Sequence, residues 1–291
     1  MQKFEEKIIP EIIQEIYNGI TIGHLKSERS DKVNRCSAAN LCPRRRVFSR
    51  LKTPCKALAP RTITNFLQGN LGEATMKAMV KTYLVGENKY YKNVDFGEVL
   101  GSVLIDNYLI EQTAQPEISF EVESFPGEMI TITGHPDGVG TKLDGTMEFL
   151  EFKTASEWGF KEFMEQGPTD YKKQAHALML TGFAKLHKIT NVKFIYLKKN
   201  TGHMWAADCA FDQAVADQVL EEYRGVHMGV YNKPIFALKE ETYYKKPTGF
   251  MTAVYPCSYC PYLENCHGEP IMEFKKDQYG SQGPVFKYKK G

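Results

Sequence analysis

Apolar residues recur along the chain with two spacings, and the order of these spacings predicts a mixed sheet flanked by helices. Helical spacing predicts helices at 4–18, 62–84, 169–181 and 210–228. Short alternating or apolar runs predict strands at 117–124, 128–134, 135–142, 147–153, 191–199 and 203–209. Helices followed by a strand meander, a helix and further strands are typical of an α/β sandwich. The predicted fold class is therefore α/β, with a mixed central sheet flanked by helices.

The length of 291 residues predicts one main domain with attached segments. We divide the chain into a helical and basic segment, a core, a cysteine-rich segment and a basic tail, at 1–60, 61–235, 236–270 and 271–291. No stretch approaches the roughly 20 apolar residues that span a bilayer. The N-terminal sequence also lacks the apolar core of a secretory signal. These features predict a cytoplasmic protein without membrane contact, and the absence of GxxxxGK argues against a motor ATPase.

Positive charge is unevenly distributed although the formal net charge is only +2. Between Asp31 and Glu73 there is no acidic residue, whereas nine lysines and arginines fall in the interval. Such an arginine-rich stretch suits contacts with nucleic-acid phosphates. A solvated helix face is an equally good interpretation, and the closing sequence FKYKKG likewise fits either a solubilising tail or a DNA contact.

The turn in HPDGVGTKLDGTMEFLEFK, residues 135–153, decides which side chains share a face of the sheet. A two-residue turn at Asp144-Gly145 would place Asp137 opposite Phe152. A three-residue loop, 143–145, with its glycine in the left-handed conformation, would place Asp137 opposite Glu151 instead. Both turns are chemically acceptable. We favour the three-residue loop because it brings the polar residues together.

In this register Asp137 and Glu151 face each other beside Lys153. Two facing carboxylates repel by up to about 1 kcal/mol unless a cation lies between them. Oxygen ligands of this kind favour Mg²⁺ or Mn²⁺, and the adjacent ammonium group could orient a water or stabilise charge on phosphorus. A surface salt bridge between Glu151 and Lys153 is the alternative interpretation. His135, which the same register places opposite Lys153, fits a substrate contact or a structural role.

An aspartate, a hairpin and then Glu-x-Lys resemble the signature of the PD-(D/E)XK nucleases, and Pro136 precedes Asp137 as in that signature. Upstream, FLQGNLGEATMKAM resembles the helical G-x-x-x-H element of the RecB-like branch, with Gly69 in place and Glu73 at the histidine position. A glutamate can ligate a hard cation as an imidazole can. Together, the hairpin signature and the helical element imply the restriction-endonuclease-like core fold.

Downstream, DYKKQAHALMLTG resembles the Q-x-x-x-Y helix of the same branch, with Gln174 in place and Leu178 at the tyrosine position. We interpret His176 and Leu178 as packing or surface residues. The resemblance implies that four residues are catalytic: Asp137, Glu151, Lys153 and Gln174. It implies that Mg²⁺ or Mn²⁺ is held by Glu73, Asp137, Glu151 and the carbonyl of Phe152.

The seven cysteines are too unevenly spaced for a disulfide framework. Cys257, Cys260 and Cys266 form a Cys-x2-Cys-x5-Cys pattern, which holds three thiolates close together and needs a fourth ligand. The spacing alone allows either zinc or an iron-sulfur cluster. Cys209, at the end of an apolar stretch, is most simply a buried thiol.

Iron-sulfur members of the RecB-like nucleases, including the AddB type and the CRISPR-associated exonucleases, carry one cysteine before the core and three after it. This layout is present here, and SAANLCPRRR resembles the sequence around the first ligand. The resemblance therefore implies a 4Fe-4S cluster held by Cys42 and the three C-terminal cysteines, with Cys36 and Cys55 as rivals for Cys42. Such a cluster would join the N- and C-terminal segments, and zinc is the alternative cofactor.

The resemblance implies a metal-dependent DNA nuclease, most simply an exonuclease that hydrolyses single strands or duplex ends. A helicase or recombination partner would have to unwind long duplexes. The alternative is a catalytically silent DNA-end-binding or assembly subunit that keeps the fold and the cluster. The tyrosine and histidine replacements favour the silent subunit, whereas the intact Asp137, Glu151 and Lys153 favour the enzyme.

Overall fold

The structure is a computed structural model that describes residues 33–54, 60–105, 108–229, 238–243, 246–253, 260–262, 265–266, 272–276 and 282–287. The chain forms two compact units. The first comprises Met1–Leu41 and Ala59–Met228, and the second Cys42–Leu58 and Gly229–Gly291. The helix that the sequence predicts at 4–18 lies outside the described residues. Within the described ranges, no helix is both long and apolar enough to cross a membrane.

The first unit contains ten strands among its described residues, several of them where the apolar pattern predicts them. They are β1 (Val33–Arg35), β2 (Tyr91–Asp95), β3 (Glu98–Ile105), β4 (Tyr108–Ala114), β5 (Ile118–Phe125), β6 (Glu128–Gly134), β7 (Gly138–Lys142), β8 (Met147–Ala155), β9 (Asn191–Lys198) and β10 (Met204–Ala210). A five-stranded sheet has the order β10-β9-β8-β7-β2. The β8–β9 pair is parallel and the other pairs of this sheet are antiparallel. The central sheet is therefore mixed, as predicted.

Helices flank this sheet. The helices of the described chain are α1 (Pro43–Arg50), α2 (Pro60–Leu84), α3 (Glu157–Gln166), α4 (Lys172–Met179), α5 (Gly182–Leu186) and α6 (Gln213–His227). The predicted helices at 62–84 and 210–228 correspond to α2 and α6. The one predicted at 169–181 is divided, because a 3-10 turn at Thr169–Tyr171 precedes α4. Helix α1 belongs to the second unit.

Strand β8 lies at the centre of the core, and its two faces pack into different apolar clusters. Phe149 packs with Phe194 in one cluster, and Leu150 packs with Met76 of α2 in the other. A strand that is covered on both faces has a nearly continuous apolar sequence, which explains MEFLEFK. Helix α2 lies close against β8 at Gly72. A Cβ atom on Gly72 would lie 2.3 Å from the Thr154 Cγ2, so a larger residue would not fit there. The two glutamates of this strand, Glu148 and Glu151, are therefore buried in the interior.

The β7–β8 hairpin has the three-residue loop that we predicted. Gly138 pairs with Leu150, which is the register that places Asp137 opposite Glu151. The loop is closed by a hydrogen bond of 2.8 Å from the Lys142 amide to the Thr146 carbonyl. Gly145 has a φ of 85°, the left-handed conformation that this loop requires. The predicted register is confirmed.

The second unit contains α1 and a four-stranded sheet. Its strands are β11 (Leu238–Tyr243), β12 (Lys246–Ala253), β13 (Met272–Lys276) and β14 (Gln282–Lys287), in the order β11-β12-β14-β13. Phe48 of α1 packs against Tyr262, with ring centroids 5.6 Å apart. This contact joins the segment after Cys42 to the segment between Cys260 and Cys266. Two strands, β13 and β14, lie within 271–291, the range predicted as a basic tail.

Candidate active site

A cavity of about 260 Å³ opens in the first unit beside the β7–β8 hairpin. It is lined by Arg35, Cys36, Ser37, Glu73, Gln115, Thr133, Gly134, His135, Asp137, Glu151, Lys153, Gln174 and Leu178. The fold therefore gathers the charged residues of the hairpin, the glutamate of α2 and the glutamine of α4 around one cavity. The lining residues are widely separated in sequence, from Arg35 to Leu178.

Asp137 precedes β7, and its carboxylate is held by two donors. The Phe152 amide donates to its Oδ2 at 2.7 Å, and the Gln115 Nε2 donates to its Oδ1 at 2.6 Å. Burial raises the pKa of Asp137 to about 8, with a further rise from Glu151, while Lys153 opposes the shift. The site therefore favours a proton, or another cation, on this carboxyl group.

Glu151 is the most informative side chain of the cavity. It is 1% exposed, and its Oε2 accepts hydrogen bonds from the Lys153 Nζ at 2.6 Å and the Gln174 Nε2 at 2.8 Å. Its Oε1 is buried and has no hydrogen-bond partner in the part of the chain that the structure describes. A buried carboxylate oxygen without a donor is costly, and such an oxygen in a native protein calls for a bound ion or water.

Lys153 lies between the two acids. Its Nζ is 3.9 Å from the Asp137 Oδ2 and 5.3 Å from the centroid of the Tyr171 ring. Burial by itself would lower the pKa of Lys153, but the carboxylates of Glu151 and Asp137 outweigh it and raise the pKa above its ordinary value. The side chain is therefore a fixed positive charge rather than a general base in this state.

Gln174 is oriented by a partner that the sequence analysis did not identify. The Asn40 Oδ1 accepts the Gln174 backbone N–H at 3.1 Å, and the Asn40 Nδ2 donates to the Gln174 Oε1 at 3.5 Å. These two bonds direct the Gln174 amide N–H groups toward Glu151. Asn40 is 134 residues away in sequence, so no local pattern indicates the pair.

Glu73 reaches the same cavity from α2. The Lys77 Nζ lies 2.7 Å from its Oε1, and the Gln115 Nε2 donates to that oxygen at 3.1 Å. Gln115 therefore bridges Glu73 and Asp137, a role that the sequence analysis missed. Within the described ranges, no three His, Cys, Asp or Glu side chains form a ready-made metal cage. The amide of Gln115 separates two of the predicted ligands.

The remaining predicted neighbours differ in their surroundings. His135 lines the cavity, and its Nε2 lies 3.7 Å from a Glu117 carboxylate oxygen. His176 is fully buried, donates from Nδ1 to the Lys172 carbonyl at 2.7 Å and accepts the Asp212 amide on Nε2 at 2.8 Å. Burial lowers its pKa, so the ring is neutral and structural. The packing interpretation of His176 is confirmed.

The cysteines divide between the two units. Cys42 is exposed at the start of α1, and Cys260 and Cys266 are half-buried in the same unit. Cys36 is buried beside the cavity of the first unit, where burial and the Glu151 charge raise the pKa of its thiol to about 12. Such a thiol is a poor source of a metal-binding thiolate.

Two further cysteines of the predicted set, Cys55 and Cys257, lie outside the described residues. Cys209 is buried, and burial raises its pKa, as expected for a structural thiol. The described cysteines leave Cys42 as the better candidate than Cys36 for a ligand that acts with Cys260 and Cys266.

No family model matches the chain, and no curated protein matches it. Solved structures that match include one described as SSO0001, at 14% identity over 86% of this chain and 94% of that one, with a TM-score of 0.50. They also include an alkaline exonuclease, LHK-Exo from Laribacter hongkongensis, at 13% identity, 72% and 91% coverage and a TM-score of 0.37. Its complex with dAMP matches at 12% identity, 74% and 91% coverage and a TM-score of 0.38. The likeness to SSO0001 is one of fold alone, so the case for a function depends on the geometry of the cavity.

Proposed function

We propose that the protein is a metal-dependent DNA nuclease of the PD-(D/E)XK type, and specifically an exonuclease acting on single strands or duplex ends. The observation that carries the proposal is the buried Oε1 of Glu151, which has no donor among the described residues. It belongs to a carboxylate that shares one cavity with Asp137 and Lys153. A hard divalent cation is the partner that such an oxygen prefers.

The residues present fit Mg²⁺ or Mn²⁺. Magnesium binds proteins through one or two carboxylates and keeps several waters, so Asp137 and Glu151 suffice to hold it without a complete protein cage. Glu73 and the carbonyl of Phe152 are the proposed further ligands. When bound, the cation supplies a Lewis acid for the phosphate and lowers the pKa of a coordinated water.

The other side chains have separate roles in this proposal. Lys153, a permanent positive charge in the cavity, stabilises the negative charge that grows on the phosphate oxygens as water adds and the P–O bond breaks. Gln174 and Lys153 both bind the Glu151 Oε2 and thereby leave Oε1 as the available atom. Asn40 keeps Gln174 in this orientation.

We also propose a 4Fe-4S cluster held by Cys42, Cys257, Cys260 and Cys266. The contact between Phe48 and Tyr262 supports it, because it packs the helix that follows Cys42 against the segment between two of the other ligands. A cluster at this place would be structural. The colour and iron content of anaerobically purified protein would test this proposal. Zinc instead of iron in that protein would show that the cysteines hold a zinc site.

The arginine-rich helix α1 is the proposed DNA phosphate contact. Arg44, Arg45 and Arg50 are partly exposed, whereas Arg46 is buried, so the first three present part of their side chains to solvent. Arginine binds phosphate through a planar fork of donors. We further propose that a helicase or recombination partner supplies unwound DNA for long substrates.

Digestion of end-labelled single- and double-stranded DNA, with circular DNA as a control, tests the nuclease. We expect cleavage with Mg²⁺ or Mn²⁺, none in EDTA, and a loss of about 100-fold in Lys153→Met because one fixed charge is removed from the site. Lys161→Met is the matched control, since Lys161 is 75% exposed on α3. Equal digestion by the unaltered chain, Asp137→Ala and Lys153→Ala would show that this site does not cleave DNA.

A silent DNA-end-binding subunit is the second candidate, and one observation favours it. Leu178 is 1% exposed and lines the cavity at the position where the RecB-like pattern has a tyrosine, so that hydroxyl group is missing from the site. A silent subunit would bind DNA ends equally well with and without Mn²⁺ and would cleave none of the labelled substrates.

A further inference from the structure

The side chain of Gln115 occupies the position between two carboxylates where a bridging cation would be expected. Its Nε2 lies 2.6 Å from the Asp137 Oδ1 and 3.1 Å from the Glu73 Oε1. Both contacts use the same nitrogen, whose two hydrogens can each bind one oxygen. A neutral amide group therefore joins two acids that would otherwise repel each other.

The backbone at Gln115 packs against Gly97, in the short connection between β2 and β3. Gly97 has a φ of 88°, and a Cβ atom there would lie 1.9 Å from the Ala114 carbonyl oxygen and 3.2 Å from the Gln115 Cα. The Gly97 amide also donates to the Asp95 Oδ1 at 2.8 Å. Only glycine fits this close approach. The contact fixes the end of β4, so the Gln115 side chain extends into the cavity from a fixed backbone position.

A carboxamide has an oxygen and a nitrogen at nearly equivalent positions, and a half turn about its last bond exchanges them. The oxygen is a neutral hard ligand of the kind that accepts Mg²⁺, Mn²⁺ or Ca²⁺. One side chain can therefore satisfy the acids by its N–H groups without metal and ligate the metal by its oxygen.

We propose that Gln115 is a further ligand of the divalent cation in this cavity, joining Glu73 and Asp137 by its N–H groups when metal-free and presenting its Oε1 to the metal when loaded. This inference rests on the proposed function, whose cation it describes in more detail. It differs from a purely positioning role, in which any change of Gln115 would weaken metal binding. It also differs from a blocking role, in which removing the amide would strengthen binding.

Titration of the full-length, DNA-free chain with Mn²⁺ in a calorimeter tests the proposal. We expect Gln115→Leu to weaken Mn²⁺ binding on the order of tenfold, because an oxygen ligand is lost. Gln115→Glu should strengthen it by a similar factor, because the ligand becomes charged. Gln112→Leu is the matched control, since Gln112 is an exposed glutamine on β4, and should leave the affinity unchanged. Thermal unfolding of each variant verifies that it is folded.

Two results would contradict the role of Gln115 as a ligand without contradicting the proposed nuclease function. One is Mn²⁺ binding by Gln115→Leu as tight as, or tighter than, that of the unaltered chain. The other is weakened binding in both Gln115→Leu and Gln115→Glu. If the unaltered chain binds no Mn²⁺, both this inference and the metal-dependent nuclease are wrong. If Gln115→Leu weakens and Gln115→Glu strengthens Mn²⁺ binding but the chain cleaves no DNA, Gln115 is a metal ligand and the proposed nuclease function is wrong.

Discussion

Two glutamates three residues apart on β8 are equally buried but differ in how many of their carboxylate oxygens have hydrogen-bond partners. Glu148 is 0% exposed and Glu151 is 1% exposed. The Tyr91 hydroxyl donates to the Glu148 Oε1 at 2.7 Å, and Asn191 and Lys142 each lie 2.8 Å from its Oε2. Both oxygens of Glu148 are therefore bonded, whereas one oxygen of Glu151 has no partner among the residues that the structure describes.

This difference separates a structural charge from a functional one. A buried charge is tolerated when its hydrogen bonds are complete, and Glu148 meets that condition inside the fold. Glu151 meets it only with an additional partner. The burial of an acid alone therefore does not identify a site, whereas the incomplete set of partners does.

The largest effect is expected from Glu151→Gln. Loss of the carboxylate removes a ligand of the proposed cation, so DNA cleavage with Mn²⁺ should fall by about 1,000-fold, equivalent to roughly 4 kcal/mol. Initial rates on end-labelled single-stranded DNA measure it. Glu148→Gln is the control on the same strand and should cleave at a rate near that of the unaltered chain. Equal losses in both variants would refute the comparison.

A second effect concerns the pH dependence of stability without metal. Burial first, and then Glu151, raise the pKa of Asp137 from 3.8 to about 8 in the folded chain. Because the folded state holds this proton more tightly, the stabilisation is complete below about pH 4 and is lost as the pH rises through 8. In EDTA, the unfolding free energy of the unaltered chain should fall by several kcal/mol more than that of Asp137→Asn over this range.

Urea unfolding at several pH values measures this difference. The same experiment with Asp144→Asn is the control, since Asp144 lies in the adjacent turn and is exposed. If the unfolding free energies of the unaltered chain and Asp137→Asn change in parallel with pH, the Asp137 carboxyl is ionised at neutral pH.

A third effect concerns stability at Glu148. Glu148→Gln keeps the shape of the side chain but turns an amide group toward one of three donors, from Tyr91, Asn191 and Lys142. One donor then faces another, so the variant should lose about 2 kcal/mol of unfolding free energy. Glu151→Gln, which keeps an acceptor for Lys153 and Gln174, should lose less. A smaller loss at Glu148 than at Glu151 would contradict the structural role of Glu148.

The part of the site that the sequence predicted is the part that local chemistry determines. A glycine in LDG can adopt the left-handed conformation of a three-residue loop, and this loop sets the partner of Asp137 through a ladder of pairs. The central strands and α2 likewise show their periodicity directly. Spacing along the chain is sufficient for these features because they depend on neighbouring residues.

The part that the sequence did not predict depends on residues distant along the chain. Asn40 and Gln115 are ordinary polar residues in sequence, and each acquires its role from a partner 134 and 42 residues away, respectively. The β3–β4 hairpin was also missed. All eight residues of β3 are exposed, including Val103 and Leu104, so its apolar residues do not mark a buried face. Incomplete bonding at Glu151 likewise becomes visible only in three dimensions.

The smallest effect is expected from Gly145→Ala in the β7–β8 turn. Gly145 has a φ of 85°, and a Cβ atom there would contact no described residue within 4 Å, so the expected cost is backbone strain, about 1 kcal/mol. The hydrogen bond from the Phe152 amide to Asp137 and the pairs along β7 and β8 should keep the register, so DNA cleavage should be unchanged.

Gly127→Ala is the matched control for this turn. Gly127 has a φ of 81° and equally open surroundings, and it lies between β5 and β6 rather than beside the site. Both variants should lose a similar unfolding free energy in urea. A selective loss of cleavage in Gly145→Ala would mean that the left-handed glycine itself, rather than the ladder, keeps Asp137 opposite Glu151. The turn would then be part of the catalytic apparatus in the same sense as the two acids.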